Sequence, residues 1–147
     1  MREARIIVGN NGMINKVERY LLIVLDAFLA VTAIAGGIGL LTGTLSPEVE
    51  LLQGFLFSSY IIPGLILLLM VGGSALLATG LMVRLPHLGV LASGAAGVII
   101  ICFELVEVLV IGSDPGVART LQLFYFILGG VLVLLAGALW SGQRKVA

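Results

Sequence analysis

Four apolar stretches set the terms for this chain: Tyr20–Leu41, Tyr60–Val83, Leu88–Ile111 and Leu121–Trp140. At about 1.5 Å of rise per helical residue, each is long enough to cross the roughly 30 Å hydrocarbon layer of a bilayer. The alternative, four buried helices of a water-soluble fold, fails on composition. The chain has 147 residues, 60% of them hydrophobic and 11% charged, whereas a soluble domain carries about a quarter charged residues to wet its surface. Its mean hydropathy is +1.21. Open strands are excluded because hydrocarbon satisfies no free backbone group. The expected fold is an all-α membrane protein: a four-transmembrane-helix bundle of two helical hairpins, with a leader over 1–19 and one transmembrane domain over 20–147. Leu21–Val31 followed by Ala33-Ile34-Ala35 has the outline of a signal peptide and its cleavage site. The long polar leader and Asp26 inside the apolar run argue against that reading, so the first span is taken as retained.

Lysine and arginine set the orientation. Arg2, Arg5, Lys16, Arg19, Arg84, Arg144 and Lys145 fall on one side of the spans and only Arg119 on the other. A bias of seven to one places both termini in the cytoplasm (N-in, C-in) and the chain in the cell membrane as a multi-pass protein. Tyr20 and Trp140 then sit at the inner interface, and Tyr60 and Tyr125 at the outer one, as an aromatic belt requires. In the first outer connection, Ser46-Pro47-Glu48-Val49-Glu50 reads as a helix start, with a capping serine, proline in the first turn and acids near the positive end of the dipole. A short surface helix near 47–53 is expected there. Ser113-Asp114-Pro115-Gly116 is a turn, and Arg84-Leu85-Pro86-His87 a tight inner one.

The twenty glycines point to close helix packing rather than flexible linkers, because each lets two backbones approach. Gly89, Ser93 and Gly97 form a ladder at four-residue spacing, and Asp26, Ala30, Ala33 and Gly37 form a stripe on the first helix. Gly64 and Gly129 each follow a tyrosine, Tyr60 and Tyr125, at the same spacing, a faint repeat of the two hairpins about an axis along the membrane normal. Helix contacts are therefore assigned to Gly37, Gly64, Gly89, Ser93, Gly97 and Gly129. Cys102, in a run of isoleucines, reads as a small buried hydrophobe.

Charge inside the membrane is the chemically informative feature. Asp26, Glu104 and Glu107 lie within spans, and an ionised acid at a helix centre costs about 2.5–3.5 kcal/mol even on the lenient insertion scale. The ladder on helix three continues to Glu104 and Glu107, which turns both into the bundle. Asp26 lies toward the inner side, where pairing with Arg84 or Arg144 is its ordinary reading, just as pairing with Arg119 is for Glu107. Glu104 is deeper, and none of the four apolar stretches contains Lys or Arg. With Ser58, Ser59, Tyr60, Gln122 and Tyr125, the two glutamates outline an outward-facing ligand or proton site, and Pro63 marks a point where helix two can kink. The ordinary alternatives are belt tyrosines, a Gln122 that caps its helix, and a His87 solvated at the interface.

Phe57-Ser-Ser-Tyr60-Ile-Ile-Pro63-Gly64, the inward Glu104 and Glu107 before Ile111-Gly112, and Leu121-Gln122 with Tyr125 ahead of Gly129 resemble one pattern. It is similar to a group of small, four-helix bacterial membrane proteins of uncharacterised function, in which an aromatic-Tyr-x-Ile-Pro-Gly segment opens the second helix. The resemblance covers about the last hundred residues. It implies a shared fold and no activity, and in that group the third-helix acid position often carries glutamine.

Several function classes lose their footing. There is no nucleophile elbow, no His-Glu-x-x-His, no phosphate-binding glycine loop and no Cys-x-x-Cys. One histidine and one cysteine argue against a haem held by two histidines of one chain and against a cysteine-rich metal cluster, so no metal and no cofactor is expected. Zero net charge gives nucleic acid no purchase. The leading expectation is a structural or accessory protein that forms a homo-oligomer or joins a larger membrane complex. The alternative binds or transports a small molecule or a proton at Glu104 and Glu107, and a membrane-embedded enzyme ranks third.

Overall fold

The computed structural model describes residues 2–45, 59–112 and 115–144. They form four long helices: α1 (Arg2–Leu41), α2 (Ile61–Arg84), α3 (Pro86–Ile111) and α4 (Val117–Arg144). All four carry windows long and apolar enough to cross a membrane, that of α1 lying within Lys16–Leu41. Among the described residues there are no strands. The chain is thus built as a multi-pass helical membrane protein. The surface helix read near 47–53, together with Ser58 and the Ser113-Asp114 part of the second turn, lies outside the described residues. α1 is helical from Arg2, through the residues read as a leader, into the first span. At the other end, α4 starts at Val117, a turn earlier than the apolar run suggests.

The helices run antiparallel in chain order. α1 packs on α2, α2 on α3, α3 on α4 and α4 back on α1, while α2 and α4 do not meet among the described residues. Arg84 and Pro86 mark one end, here the basic end; Leu41, Ile61 and Val117 mark the far end. At the basic end a single residue, Leu85, joins α2 to α3. Pro86 opens α3 where its missing N–H costs nothing. Arg19 of α1 donates to the carbonyls of Met82 at 2.9 Å and Val83 at 3.4 Å, so a cation caps the carbonyl end of α2.

No hydrophobic force draws helices together inside lipid, so contact must come from close packing. Glycine supplies it. A Cβ on Gly97 would lie 2.8 Å from the carbonyl oxygen of Gly129, and a Cβ on Gly129 would lie 2.8 Å from that of Gly97. The backbones of α3 and α4 touch there. On the other hairpin, a Cβ on Gly37 would meet the Gly64 carbonyl at 2.9 Å. Gly89 sits directly against the Met82 backbone. All the glycines assigned to helix contacts from their spacing are buried. Leu22, Leu29, Val71, Ala75, Met82, Ile100 and Leu132 fill the centre, while Leu69, Leu77, Leu109 and Leu134 face outward.

Two local features differ from the sequence reading. α2 carries a π-helical segment, Ile66–Gly72, just beyond Pro63, which spacing alone did not suggest. Helices of this kind are rare and their wider turn reorients side chains; here Gly72 presses on Ile34 of α1. Cys102 is exposed rather than buried, because it falls on the outward face of α3 between Val98 and Val106, both about half exposed.

Candidate functional site

Each half of the bundle holds a buried carboxyl. Asp26 is seven residues along α1 from Arg19, and Ser93 seven along α3 from Pro86, so both sit roughly 10 Å from the basic end. They meet across the bundle diagonal. The Ser93 hydroxyl donates a hydrogen bond to Asp26 Oδ2, and both residues are fully buried. Asp26 Oδ1 has no partner among the described residues. The pairing of Asp26 with Arg84 expected at this side does not form: Asp26 faces the core while Arg84 is exposed. Ser93, read only as a small packing residue, is the partner that was missed. The signal was available, since an inward serine and an inward aspartate at equal depth are the natural pair.

The far half is built differently. Glu104 lies seven residues before the end of α3 at Ile111, again roughly 10 Å from its end of the bundle. Glu107 follows one turn later on the same face. Gln122 is one turn into α4, and the hairpin brings it to the level of Glu107. Its Nε2 donates to Glu107 Oε1 at 3.1 Å and to the Gly112 carbonyl at 3.2 Å. Gly112, at φ +88°, ends α3 in a conformation suited to glycine. Because the Gly112 carbonyl is an acceptor that needs a donor, the amide of Gln122 must present nitrogen to it. Its Oε1 then points elsewhere, buried and without a donor.

Two more buried atoms share that condition. Glu104 is 4% exposed, and its Oε2 has no hydrogen-bond partner among the described residues. Tyr60, at the entry to α2, is 5% exposed with an equally unpartnered hydroxyl. Tyr60 is therefore not a belt residue; it turns into the bundle, within electrostatic reach of Glu107. Glu107 lies within electrostatic reach of Glu104, one turn away on the same helix. Tyr125 is half-buried against the core, with its ring edge-on to Phe124 at 5.3 Å. His87 stacks on Trp140 at 4.9 Å at the basic end, well away from this group. Glu107 meets Gln122 rather than Arg119, which is exposed.

The structure thus gathers Glu104, Glu107, Gln122 and Tyr60 in the far half and separates them from Asp26. Chemically the group can hold a proton or accept hydrogen bonds. Among the described residues no group of three His, Cys, Asp or Glu side chains is placed to hold a metal ion. Comparison with protein-family models, with characterised proteins and with solved structures finds no match, so beyond four apolar helices the resemblance read from the sequence gains no support and no activity follows from kinship.

Proposed function

We propose that this is a cell-membrane protein, with its basic end in the cytoplasm, that binds a small solute in the outer half of its helix bundle. Glu104 anchors the solute, with Tyr60, Gln122, Glu107 and Tyr125 around it. The observation that carries this reading is the burial of Glu104 Oε2, Gln122 Oε1 and Tyr60 Oη without hydrogen-bond partners among the described residues. An unsatisfied buried polar group costs about 1–3 kcal/mol, and three in one half of a small bundle is a large penalty unless something supplies the missing bonds. Glu104→Gln keeps shape and hydrogen-bonding capacity but cannot ionise. A thermal-shift screen of the purified protein against small polar solutes should find stabilisation that Glu104→Gln loses. A wild type indifferent to every solute, matched by a normally folded variant, would remove the reading.

Orientation has its own test. In a Cys102→Ala background, single cysteines at Glu50 and Ser113 should react with an impermeant reagent on intact cells, and one at His87 should not. Reaction at His87 from outside would invert the topology.

A second reading keeps its own support. Gly80 of α2 and Gly137 of α4 are exposed, and a Cβ on either would meet nothing within 4 Å. Such faces suit a homo-oligomer or an accessory role in a larger complex. Leucine at both positions should abolish cross-linked oligomers, whereas an unchanged cross-linking pattern would discard these faces.

A further inference from the structure

We propose that the solute held at Glu104 is a small organic cation bearing N–H groups, a primary or secondary ammonium. This rests on the binding reading above and names its ligand class from what the site lacks. Both N–H groups of Gln122 are engaged, by Glu107 and by Gly112. Among the described residues, what remains buried and unpartnered here is Gln122 Oε1 and Glu104 Oε2, which accept, and the Tyr60 hydroxyl, which can donate. A sugar or an amino-acid carboxylate needs several donors from its site, and this site offers only the two tyrosine hydroxyls, of Tyr60 and Tyr125, against the acceptors of two carboxyls and an amide. An anion would also meet two carboxyls, while Arg119, the one basic residue toward this end, is exposed. For a metal ion, no group of three His, Cys, Asp or Glu side chains is gathered among the described residues.

An ammonium group answers each shortage. Its N–H bonds fill the empty acceptors, and its charge offsets a carboxylate that would otherwise stand alone in the low-dielectric interior. Rings complete the fit, since cations are drawn to aromatic faces. Tyr125 lies one turn from Gln122 on α4, and Tyr60 is buried within electrostatic reach of Glu107.

The test compares three probes on the detergent-purified protein by isothermal titration at matched ionic strength: butylammonium, tetramethylammonium and 1-butanol. The first carries charge and N–H donors, the second charge alone, the third neither charge nor N–H. Butylammonium should bind saturably, tetramethylammonium about tenfold or more weakly because it cannot fill the acceptors, and 1-butanol not at all. Glu104→Gln and Glu104→Leu should both lose butylammonium while keeping the wild-type circular dichroism and elution volume. Equal binding of the two cations, or of butylammonium and 1-butanol, would overturn the class. If none of the three binds but another solute stabilises the protein through Glu104, the class falls and the binding reading stands. If no solute of any kind does so, both fall.

Discussion

Asp26 and Glu104 are both carboxyls buried roughly 10 Å from opposite ends of the same bundle, yet the structure treats them differently. Asp26 receives the Ser93 hydroxyl and ties α1 to α3 across the diagonal, where those helices otherwise barely meet. Among the described residues Glu104 receives no hydrogen bond, and Gln122 and Tyr60 in the same half keep unpartnered atoms of their own. The basic half spends its buried acid on holding helices together. In the far half the acid holds nothing, so packing falls to glycine and the polar groups remain free to bind. A carboxyl inside a membrane is therefore not functional by position alone; what its oxygens meet decides.

The comparison breaks most visibly at the glycine crossing. Gly97→Leu would force side-chain atoms to within about 3 Å of the Gly129 carbonyl, the Val133 side chain and Leu132. Overpacking a well-filled core typically costs about 1–3 kcal/mol and occasionally more, and a backbone contact leaves nothing to rotate away. Thermal denaturation in detergent should show a large loss, while Val106→Leu, on the exposed face, should change little. Equal tolerance would mean that this crossing does not hold the hairpin.

Next come the two acids, where the same substitution should act with opposite signs. Asp26→Leu strands the Ser93 hydroxyl and destabilises by about 1–3 kcal/mol. Glu104→Leu removes an unpartnered polar group and should leave stability unchanged or raise it, since replacing an unsatisfied buried charge with an apolar side chain is often stabilising. Unfolding measured side by side on the two variants settles this. If Glu104→Leu falls as far as Asp26→Leu, then Glu104 has a structural partner and the contrast between halves is lost. A double-mutant cycle on Asp26→Ala and Ser93→Ala, each of which removes the bond, sharpens the same point. Its coupling should lie near the 0.6–1.7 kcal/mol found for interhelical hydrogen bonds, and zero coupling would make Ser93 mere filling.

These contrasts also separate what was legible in the sequence from what was not. The spans were legible because hydrocarbon thickness leaves few solutions for an apolar run. The packing glycines were legible because a four-residue spacing fixes one helix face, and that face carried Glu104 into the bundle. Gln122 and Glu107 could be grouped because each lies about a turn from the same hairpin connection. The Asp26–Ser93 pair was not read, because it depends on two helices meeting across the diagonal, and spacing within one helix says nothing of that. For Tyr60, spacing could offer both a site role and a belt role without choosing between them, for a similar reason: depth was legible, but not rotation about the helix axis. The π-helical segment has no residue signature beyond an apolar run after Pro63, and Cys102 is exposed because it lies on the face opposite the ladder.

The smallest expected effect is at Glu107, and it asks whether the far half serves binding or stability. Glu107 accepts one hydrogen bond, from Gln122 Nε2. Glu107→Gln keeps an amide oxygen at that position, so the bond survives and stability should move by less than about 0.6 kcal/mol, the average for such bonds between membrane helices. Charge is what changes. Glu107 lies within electrostatic reach of Glu104, and its loss removes part of the negative field at the site. A cation should then bind less tightly, by a few-fold rather than completely, because Glu104 still supplies the direct contact. Titration of butylammonium and thermal unfolding on the same sample should therefore part company, affinity down and stability unmoved. If stability falls with affinity, the Glu107–Gln122 bond is a structural clasp of the same kind as Asp26–Ser93, and the two halves of the bundle differ less than their buried atoms imply.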